Sequence, residues 1–384
     1  MKKRILFVDD EPEVLLSMRR MLRSMRSQWE IDFAGSGQDA LRTMAGKPCD
    51  VVAADMRMPG MDGLRLLERV RELHPGVVRI ILSDHSDKDA ALKAVGLAHY
   101  FLSKPCEAGK LKITITHACG MRALLTDEPL INLISRIDSL PSLPSLYQEV
   151  VEEAQSQNGS LAKVGDIISK DVGMSAKLLQ VVNSAFFGFP GQVSSIMRAV
   201  NLLGLENIKA LILSLKIFTS SHPTNFHCYS LSSLWSHSIS VGMIARSIAT
   251  QEGFSQNLID EAFMAGMLHD VGKVVLMDKL PEECLKISEL VKSSGCQLWE
   301  AEQKISGTTH AQLGAYLMGM WGLSESVVEA IAFHHCPGKS TNESFGTLTV
   351  IHLANSMEHR GRNAKKNNRL DVDYLKKLGI SDRR

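Results

Sequence analysis

The pattern of apolar and polar positions differs between the first third of the chain and the rest. In the first third, short apolar runs alternate with amphipathic segments. The runs are RILFV, DVVAA, VVRIIL and HYFL, and the amphipathic segments include residues 13–23, 64–73 and 88–95. Such alternation is typical of βαβ units around a parallel sheet. The first third therefore predicts an α/β domain.

From about residue 131 the strand pattern disappears and helical periodicity takes over. Ser145 precedes a helical run that continues to residue 155, and Ser160 precedes another over 161–171. Further helical stretches are predicted at residues 194–203, 207–218, 234–250, 259–277, 311–321 and 327–335. The order of elements predicts an α/β domain followed by an all-helical one.

The predicted domain limits follow from this change of pattern. We expect the α/β domain at residues 1–125, a linker at 126–140, the helical domain at 141–350, and a helical and basic tail at 351–384. The segment SLPSLPSLYQ opens the helical part, and its prolines favour a turn and helix entry over an extended ligand for a partner. The basic stretch 358–371 is expected to be a solvated loop, with phosphate binding as the alternative.

Composition and charge exclude several classes of protein. The 384 residues include 43 Lys and Arg against 42 Asp and Glu, so the net charge gives no attraction to nucleic acid or anionic lipid. The seven cysteines form no C-x-x-C pair and are expected to be reduced thiols. Polar residues interrupt every long uncharged stretch, and two aspartates interrupt the apolar N-terminal run. We predict a cytoplasmic protein with no membrane span and no nucleic-acid partner.

Polar side chains follow the predicted strands at the points where the strands end. Asp9 and Asp10 follow the first strand, Asp55 ends the third, Ser83 the fourth, and Lys104 follows the fifth. The carboxyl ends of parallel strands meet at one edge of a sheet, where ligands bind. Converging carboxylates suit Mg²⁺, and a carboxylate beside Mg²⁺ can attack a phosphoryl group whose oxygens a lysine and a hydroxyl neutralise.

The motifs FVDDE, DMRMPGMDG, ILS and FLSKP resemble the receiver domain of bacterial two-component response regulators. The resemblance implies a flavodoxin-like, doubly wound parallel sheet of five strands and phosphorylation of Asp55 by a histidine kinase. It implies that Mg²⁺ is held by Asp9, Asp10, Asp55 and the backbone carbonyl of Arg57, and that Ser83, Lys104 and Phe101 respond to the phosphoryl group. The alternative is a receiver that is never phosphorylated, which the cost of buried carboxylates without a cation disfavours.

The helical domain places its histidines on or at the ends of apolar helices. They are His237, His269, His310, His334 and His335, and Asp270 follows His269 directly. A single inward histidine is most often a core residue. Six imidazole and carboxylate groups in matching places indicate a transition-metal site, because neutral imidazole is the commonest metal ligand and an aspartate can bridge two ions.

The runs LPSLP, VVNSAFFG, AVNLLG, LWSHS, AFMAGMLHDVGK, GAYL, WGL and AIAFHH resemble the HD superfamily of metal-dependent phosphohydrolases, and more closely the HDOD output domain. The resemblance covers about residues 133–335. It implies an HD-like, all-helical output domain without an established enzymatic activity. In an HD hydrolase one ion would use His237, His269, Asp270 and a late aspartate, and a second would use Asp270, His310, His334 and His335. Lys273 is the candidate general acid.

Two departures from the hydrolase pattern favour a non-catalytic output. Asn355 stands where the late aspartate is expected, and it offers only a neutral oxygen to a metal. The GYP motif of cyclic-di-GMP phosphodiesterases is also missing, because Cys336 and Pro337 follow the histidine pair directly. We therefore expect a signalling module; the alternative is a receiver-gated metal-dependent phosphohydrolase acting on a cyclic dinucleotide.

The expected partners follow from this assignment. They are a histidine kinase as phosphodonor and a downstream signalling protein. An extended last helix of the receiver, over residues 107–125, is expected to join the two domains. Because receivers often pair through their last helices, a homodimer is an open alternative to a monomer.

Overall fold

The computed structural model describes residues 2–83, 97–121, 125, 127–135, 137, 140–156, 159–183, 192–209, 211–212, 230–342, 344–362 and 370–380. The chain divides into two compact units, and the first division in sequence falls between residues 138 and 139. Within the part of the chain that is described, no helix has both the length and the apolarity needed to cross a membrane.

The first unit is built on a parallel sheet of five strands. They are β1 Lys3–Val8, β2 Trp29–Ala34, β3 Val51–Asp55, β4 Val78–Ser83 and β5 Tyr100–Ser103. Their order is β2-β1-β3-β4-β5, which is the order of flavodoxin-like sheets. Asp55 is paired with Leu82, and Ser83 with Ser103, so the carboxyl ends of three neighbouring strands are level. The predicted fold class of this unit is confirmed.

The apolar runs identified four of the five strands, and β2 was missed. All five residues of β3 are buried, as expected for a central strand of a parallel sheet. In β2, by contrast, Glu30 and Asp32 interrupt the sequence and only Trp29 and Ala34 are buried. This strand lies at the edge of the sheet, where one side has no strand neighbour, so its sequence is more polar.

The helices of the first unit are α1 Pro12–Met21, α2 Gly37–Gly46, α3 Gly63–Leu73, α4 Ala108–Met121 and α5 Glu128–Ile134. Side chains cap three of them: Ser36 for α2, Asp62 for α3 and Asp127 for α5 accept a backbone N–H from the first turn. The helices predicted at 13–23 and 64–73 are confirmed. The helix predicted at 88–95 lies outside the described residues. The one predicted at 107–125 is described over Ala108–Met121, and residues 122–124 lie outside the described part.

The second unit is all-helical over its described residues, as predicted. Its helices are α6 Pro144–Gln155, α7 Leu161–Ser169, α8 Val172–Asn183, α9 Ile196–Leu203, α10 Leu205–Lys209, α11 Leu231–Gln251, α12 Gln256–Leu268, α13 Val271–Lys279, α14 Pro281–Ser294, α15 Leu298–Ser306, α16 His310–Met320, α17 Glu325–Phe333, α18 Thr347–Arg362 and α19 Val372–Lys377. Pro144 occupies the first turn of α6, the helix-entry position favoured from the sequence.

One predicted helix differs from the structure, and a second is only partly within the described residues. The single helix expected at 259–277 is two helices, because α12 ends at Leu268 and α13 begins at Val271. Helix α10 covers the start of the helix expected at 207–218, and residues 210 and 213–218 lie outside the described part. Helix α18 runs through residue 350 and includes the start of the basic stretch 358–371, of which 363–369 are not described. We therefore propose that the helical domain continues past residue 350.

Glycines allow the helices that carry the histidines to approach closely. A Cβ at Gly272 on α13 would lie 1.9 Å from the carbonyl oxygen of His310 on α16. A Cβ at Gly266 on α12 would lie 2.6 Å from the Cα of Gly242 on α11. Neither distance is sterically allowed. These two glycines therefore bring α11, α12, α13 and α16 together around the segment that joins α12 to α13.

Candidate functional site

Three carboxylates converge at the carboxyl edge of the sheet. Asp9 follows β1, and Asp55 is the last residue of β3. One oxygen from each of Asp9, Asp10 and Asp55 lies within 4.8 Å of the other two. Asp9 is fully buried and Asp55 is 8% exposed, whereas Asp10 is exposed. The pocket is therefore buried at its base and reachable from solvent beside Asp10.

Lys104, which follows β5, bridges two of these carboxylates. Its Nζ lies 2.7 Å from Asp9 Oδ2 and 2.5 Å from Asp55 Oδ1. Burial raises the pKa of Asp55, although the hydrogen bond from Lys104 opposes this shift. Burial acts to lower the pKa of Lys104, but hydrogen bonds to Asp55 and Asp9 outweigh it and raise that pKa. The lysine therefore stays charged beside Asp55.

The other residues predicted for this pocket lie around Asp55. The backbone N–H of Arg57 donates to Asp55 Oδ2 at 3.1 Å, and that of Glu11 donates to Asp9 Oδ1 at 3.0 Å. The Ser83 hydroxyl lies 3.5 Å from the sulfur of Met56. Phe101 lies in β5, but its side chain is outside the described residues. The predicted roles of the Arg57 carbonyl and of Phe101 stay predictions.

The charge of this pocket fits a divalent cation. Three carboxylates face a single lysine ammonium, and a buried excess of negative charge is costly unless a cation balances it. Carboxylate oxygens are the ligands that Mg²⁺ prefers. Asp9, Asp10 and Asp55 therefore fit a Mg²⁺ ion.

In the helical unit, four imidazoles face one carboxylate. Asp270 lies between α12 and α13 and is 1% exposed. Each imidazole approaches it through Nε2. The distance to the nearer Asp270 oxygen is 3.2 Å for His310, 3.4 Å for His269, 3.5 Å for His237 and 3.9 Å for His334.

Hydrogen bonds fix the tautomer of all four imidazoles. Each Nδ1 lies against an oxygen: the Gly266 carbonyl for His269 (2.6 Å), the Ile331 carbonyl for His334 (2.8 Å), Glu302 for His310 (2.6 Å) and Glu358 for His237 (2.7 Å). Because carbonyl and carboxylate oxygens only accept, Nδ1 carries the proton and Nε2 keeps its lone pair. The Nε2 atoms of His237, His269 and His334 are buried and have no hydrogen-bond partner among the described residues.

The remaining predicted residues also reach this cluster. His335 Nε2 lies 3.1 Å from His310 Nε2, and the Lys273 Nζ lies 2.5 Å from Asp270 Oδ2. Two groups that include Asp270 hold ligand atoms within 4.8 Å of one another: Asp270, His310, His334 and His335; and His237, His269 and Asp270. A third group in this unit is His237, Glu358 and His359. All six residues predicted from the sequence are therefore brought together. We call them the Asp270 site. Buried lone pairs without donors beside a carboxylate fit a transition-metal ion.

Asn355 occupies the position of the expected late aspartate, and two residues that follow it contact His237. Asn355 is 2% exposed, and its Oδ1 has no hydrogen-bond partner among the described residues. One helical turn later, Glu358 contacts His237. The His359 ring packs against the same imidazole at a tilt of 40°, with ring centroids 4.8 Å apart. Glu302 and Glu358 were not identified from the sequence. Glu358 could have been found, because it lies three residues after Asn355 and therefore on the same face of the helix.

We expect the free energy of unfolding of the metal-free protein to fall as the pH decreases from 7 to 5. Burial lowers the pKa of His237 to about 2, and it lowers the pKa of His334 and His335 well below the ordinary value of 6.5. Below about pH 6.5 the unfolded chain therefore binds more protons than the folded one. Each of these histidines then lowers the free energy of unfolding by about 1.4 kcal/mol for each pH unit.

His310 acts in the opposite direction, because the attraction of Glu302 outweighs burial and raises its pKa. Its contribution is gained as the pH falls from that raised pKa to about 6.5 and is constant below, so the three neutral histidines set the slope there, about 4 kcal/mol per pH unit. Urea denaturation at pH 7, 6 and 5 measures this slope. A free energy of unfolding that does not change over this range would show that these imidazoles are not held neutral.

Two family models match this chain. Residues 5–116 match the response regulator receiver domain, and residues 140–337 match the HDOD domain. The second match covers just over half of the chain. The chain belongs to the HDOD domain family. It is a response regulator in which a receiver domain precedes an HDOD domain.

Individual relatives cover parts of this HDOD protein. An uncharacterized protein of Treponema pallidum (strain Nichols) is 29% identical over 227 residues, which are 58% of this chain and 43% of the relative. Regulatory protein LuxO of Vibrio cholerae serotype O1 is 29% identical over 156 residues, 39% of this chain and 34% of LuxO. The chain therefore spans less than half the length of these two curated relatives.

Among solved structures, the MmoQ response regulator of Methylococcus capsulatus str. Bath is similar to this chain. It is 22% identical, with a TM-score of 0.48, and the match covers 64% of this chain and 95% of that one.

Proposed function

We propose that Asp55 accepts a phosphoryl group from a histidine kinase and thereby controls this response regulator. The observation that carries the proposal is the position of the Asp55 carboxylate. It lies within 4.8 Å of the Asp9 and Asp10 carboxylates and 2.5 Å from the Lys104 ammonium. Because the phosphodonor kinase uses a cytoplasmic nucleotide, we also propose a cytoplasmic location.

Each side chain of the pocket has a role in this transfer. An Asp55 carboxylate oxygen forms the new bond to phosphorus as the bond from phosphorus to the donor breaks. Lys104 neutralises charge on the transferred oxygens, and Ser83 donates a hydrogen bond to them. Asp9, Asp10, Asp55 and the Arg57 carbonyl would hold Mg²⁺, whose positive charge lowers the repulsion between the carboxylate and the phosphoryl group. Phe101 would then change rotamer.

Labelling of the full chain with acetyl phosphate tests this proposal. We expect incorporation of a single phosphoryl group per chain in the presence of Mg²⁺, measured by intact mass. Addition of EDTA should abolish it, since the three carboxylates then have no divalent cation to balance them. Equal labelling with and without EDTA, or no labelling with Mg²⁺, would contradict the proposal.

We further propose that the HDOD domain is a non-catalytic output that binds a downstream signalling protein and holds a transition-metal ion at the Asp270 site. Asn355 supports the absence of catalysis, because a neutral amide is a poor substitute for a metal-binding carboxylate. The Lys273 ammonium is moreover bound to Asp270 at 2.5 Å, which ties the candidate general acid to the carboxylate.

A metal-dependent phosphohydrolase is the second candidate, and the convergence of four Nε2 atoms on Asp270 favours it. A bound transition metal would activate a water molecule for attack on a phosphoester. A panel of cyclic dinucleotides and other phosphoesters, assayed with several divalent metals, separates the two candidates. Non-catalytic output predicts no turnover; turnover that His269→Ala removes would establish the hydrolase.

A further inference from the structure

Two buried glutamates lie behind the histidines of the Asp270 site. Glu302 on α15 is 1% exposed, and Glu358 on α18 is 6% exposed. They come from different helices, and neither belongs to the motifs that contain the histidines. Burying a carboxylate is costly unless it is paired and hydrogen-bonded. The hydrogen bonds that these two carboxylates accept therefore offset the cost of burying them.

Glu302 binds His310 at two points. Its Oε2 accepts the Nδ1–H of the imidazole at 2.6 Å and the backbone N–H of the same residue at 2.9 Å. The imidazole is thereby fixed in position and in tautomer. Its Nε2 then lies 3.2 Å from Asp270 Oδ1.

Glu358 makes the matching contact on the other side of the site. Its Oε2 accepts the Nδ1–H of His237 at 2.7 Å, and the Nε2 of that imidazole lies 3.5 Å from Asp270 Oδ2. Each oxygen of Asp270 thus faces an imidazole that a buried glutamate supports. The result is a continuous series of groups in the order Glu302, His310, Asp270, His237, Glu358.

The other two imidazoles are held differently. His269 and His334 donate their Nδ1–H to uncharged peptide carbonyls, those of Gly266 and Ile331. A carboxylate acceptor makes an imidazole more basic than a peptide carbonyl does, and so strengthens its Nε2 as a metal ligand. His237 and His310 are therefore the stronger donors of the four.

The net charge of the buried groups also favours a divalent ion at the Asp270 site. In the neutral form in which imidazoles bind a metal, Asp270, Glu302 and Glu358 carry three negative charges against one positive charge on Lys273. This excess equals the charge of one divalent ion. With Asp270 and Lys273 alone the charge would be zero, and Asn355 adds none.

We propose that Glu302 and Glu358 are positioning residues that set the metal affinity of the Asp270 site through His310 and His237. Glu358 supplies, from one helical turn away, the negative charge that Asn355 lacks. The inference rests on the proposed metal site and leaves phosphorylation of Asp55 untouched.

Zinc titration of the metal-free full chain, in competition with a chromophoric chelator, tests the inference. Glu302→Gln and Glu358→Gln each keep an oxygen acceptor for Nδ1–H and remove the charge. We expect each variant to lose about 10- to 100-fold in Zn²⁺ affinity.

Glu153→Gln is the matched control. Glu153 is a half-buried glutamate on α6 that accepts the Ser160 backbone N–H at 2.9 Å, and it is not one of the Asp270-site residues. Its replacement should leave the affinity unchanged.

Nitrogen-15 NMR of the metal-free parent gives a second readout that does not depend on folding of the variants. We expect Nδ1 of His237 and of His310 to carry a proton, because each faces a glutamate oxygen. The opposite tautomer at either residue would overturn the inference.

The zinc titration separates two failures. If the parent binds Zn²⁺ and both glutamine variants bind it within threefold of the parent, the inference fails while the metal site stands. If the parent binds no Zn²⁺, the inference and the metal site fail together.

Discussion

Asp55→Asn is expected to abolish labelling of the chain by acetyl phosphate and Mg²⁺. The carboxylate of Asp55 is the nucleophile, and a neutral amide oxygen does not form the acyl phosphate. The loss should be complete, because Asp9 is fully buried and its Oδ2 is occupied by Lys104 at 2.7 Å. Phosphate-affinity electrophoresis and intact mass measure the label.

Asp39→Asn is the matched control for this variant. Asp39 is an exposed carboxylate on α2, with a surface ion pair to Arg42 at 2.9 Å. Its replacement removes the same charge from the same unit and should leave labelling at the parent level. Parent-level label on Asp55→Asn would mean that another residue accepts the phosphoryl group.

Asp270→Asn is expected to lower the free energy of unfolding of the metal-free protein by about 3–5 kcal/mol, because it leaves a buried charge without its partner. The Lys273 side chain is 12% exposed, and its Nζ lies 2.5 Å from Asp270 Oδ2. Lys273→Met should cost a similar amount, since the Asp270 carboxylate then lacks its cation. Urea denaturation in the presence of a chelator measures both losses.

The double variant Asp270→Asn with Lys273→Met separates this ion pair from general damage to the packing. Neither buried charge remains, so most of the loss seen in the single variants should be recovered. The double-mutant cycle should therefore be strongly non-additive. Losses that simply add would show that the two groups do not stabilise each other.

The receiver pocket could be predicted from the sequence because strand order fixes its geometry. Asp9, Asp55 and Lys104 follow or end strands whose apolar runs are plain, and a parallel sheet brings those ends to one edge. Strand β2 was missed because Glu30 and Asp32 break its apolar run at the sheet edge. Even so, the pocket residues on β1, β3, β4 and β5 were placed correctly relative to one another.

The Asp270 site was predicted only in part, because its contacts are distant in sequence. The histidines could be found from their motifs, but His237 and Glu358 are 121 residues apart, and no local pattern connects them. The break between α12 and α13 was also missed. Apolar periodicity continues through His269 and Asp270, and the backbone turns there to direct Asp270 at the imidazoles.

We propose that phosphorylation of Asp55 is transmitted to the HDOD domain. Amide hydrogen exchange of the full chain, with and without acetyl phosphate in Mg²⁺, tests it most directly. We predict that phosphorylation changes exchange in peptides of the receiver and also in peptides beyond residue 140, and that Asp55→Asn shows neither change. Exchange that changes only within residues 2–121 of the fully phosphorylated protein would contradict the claim.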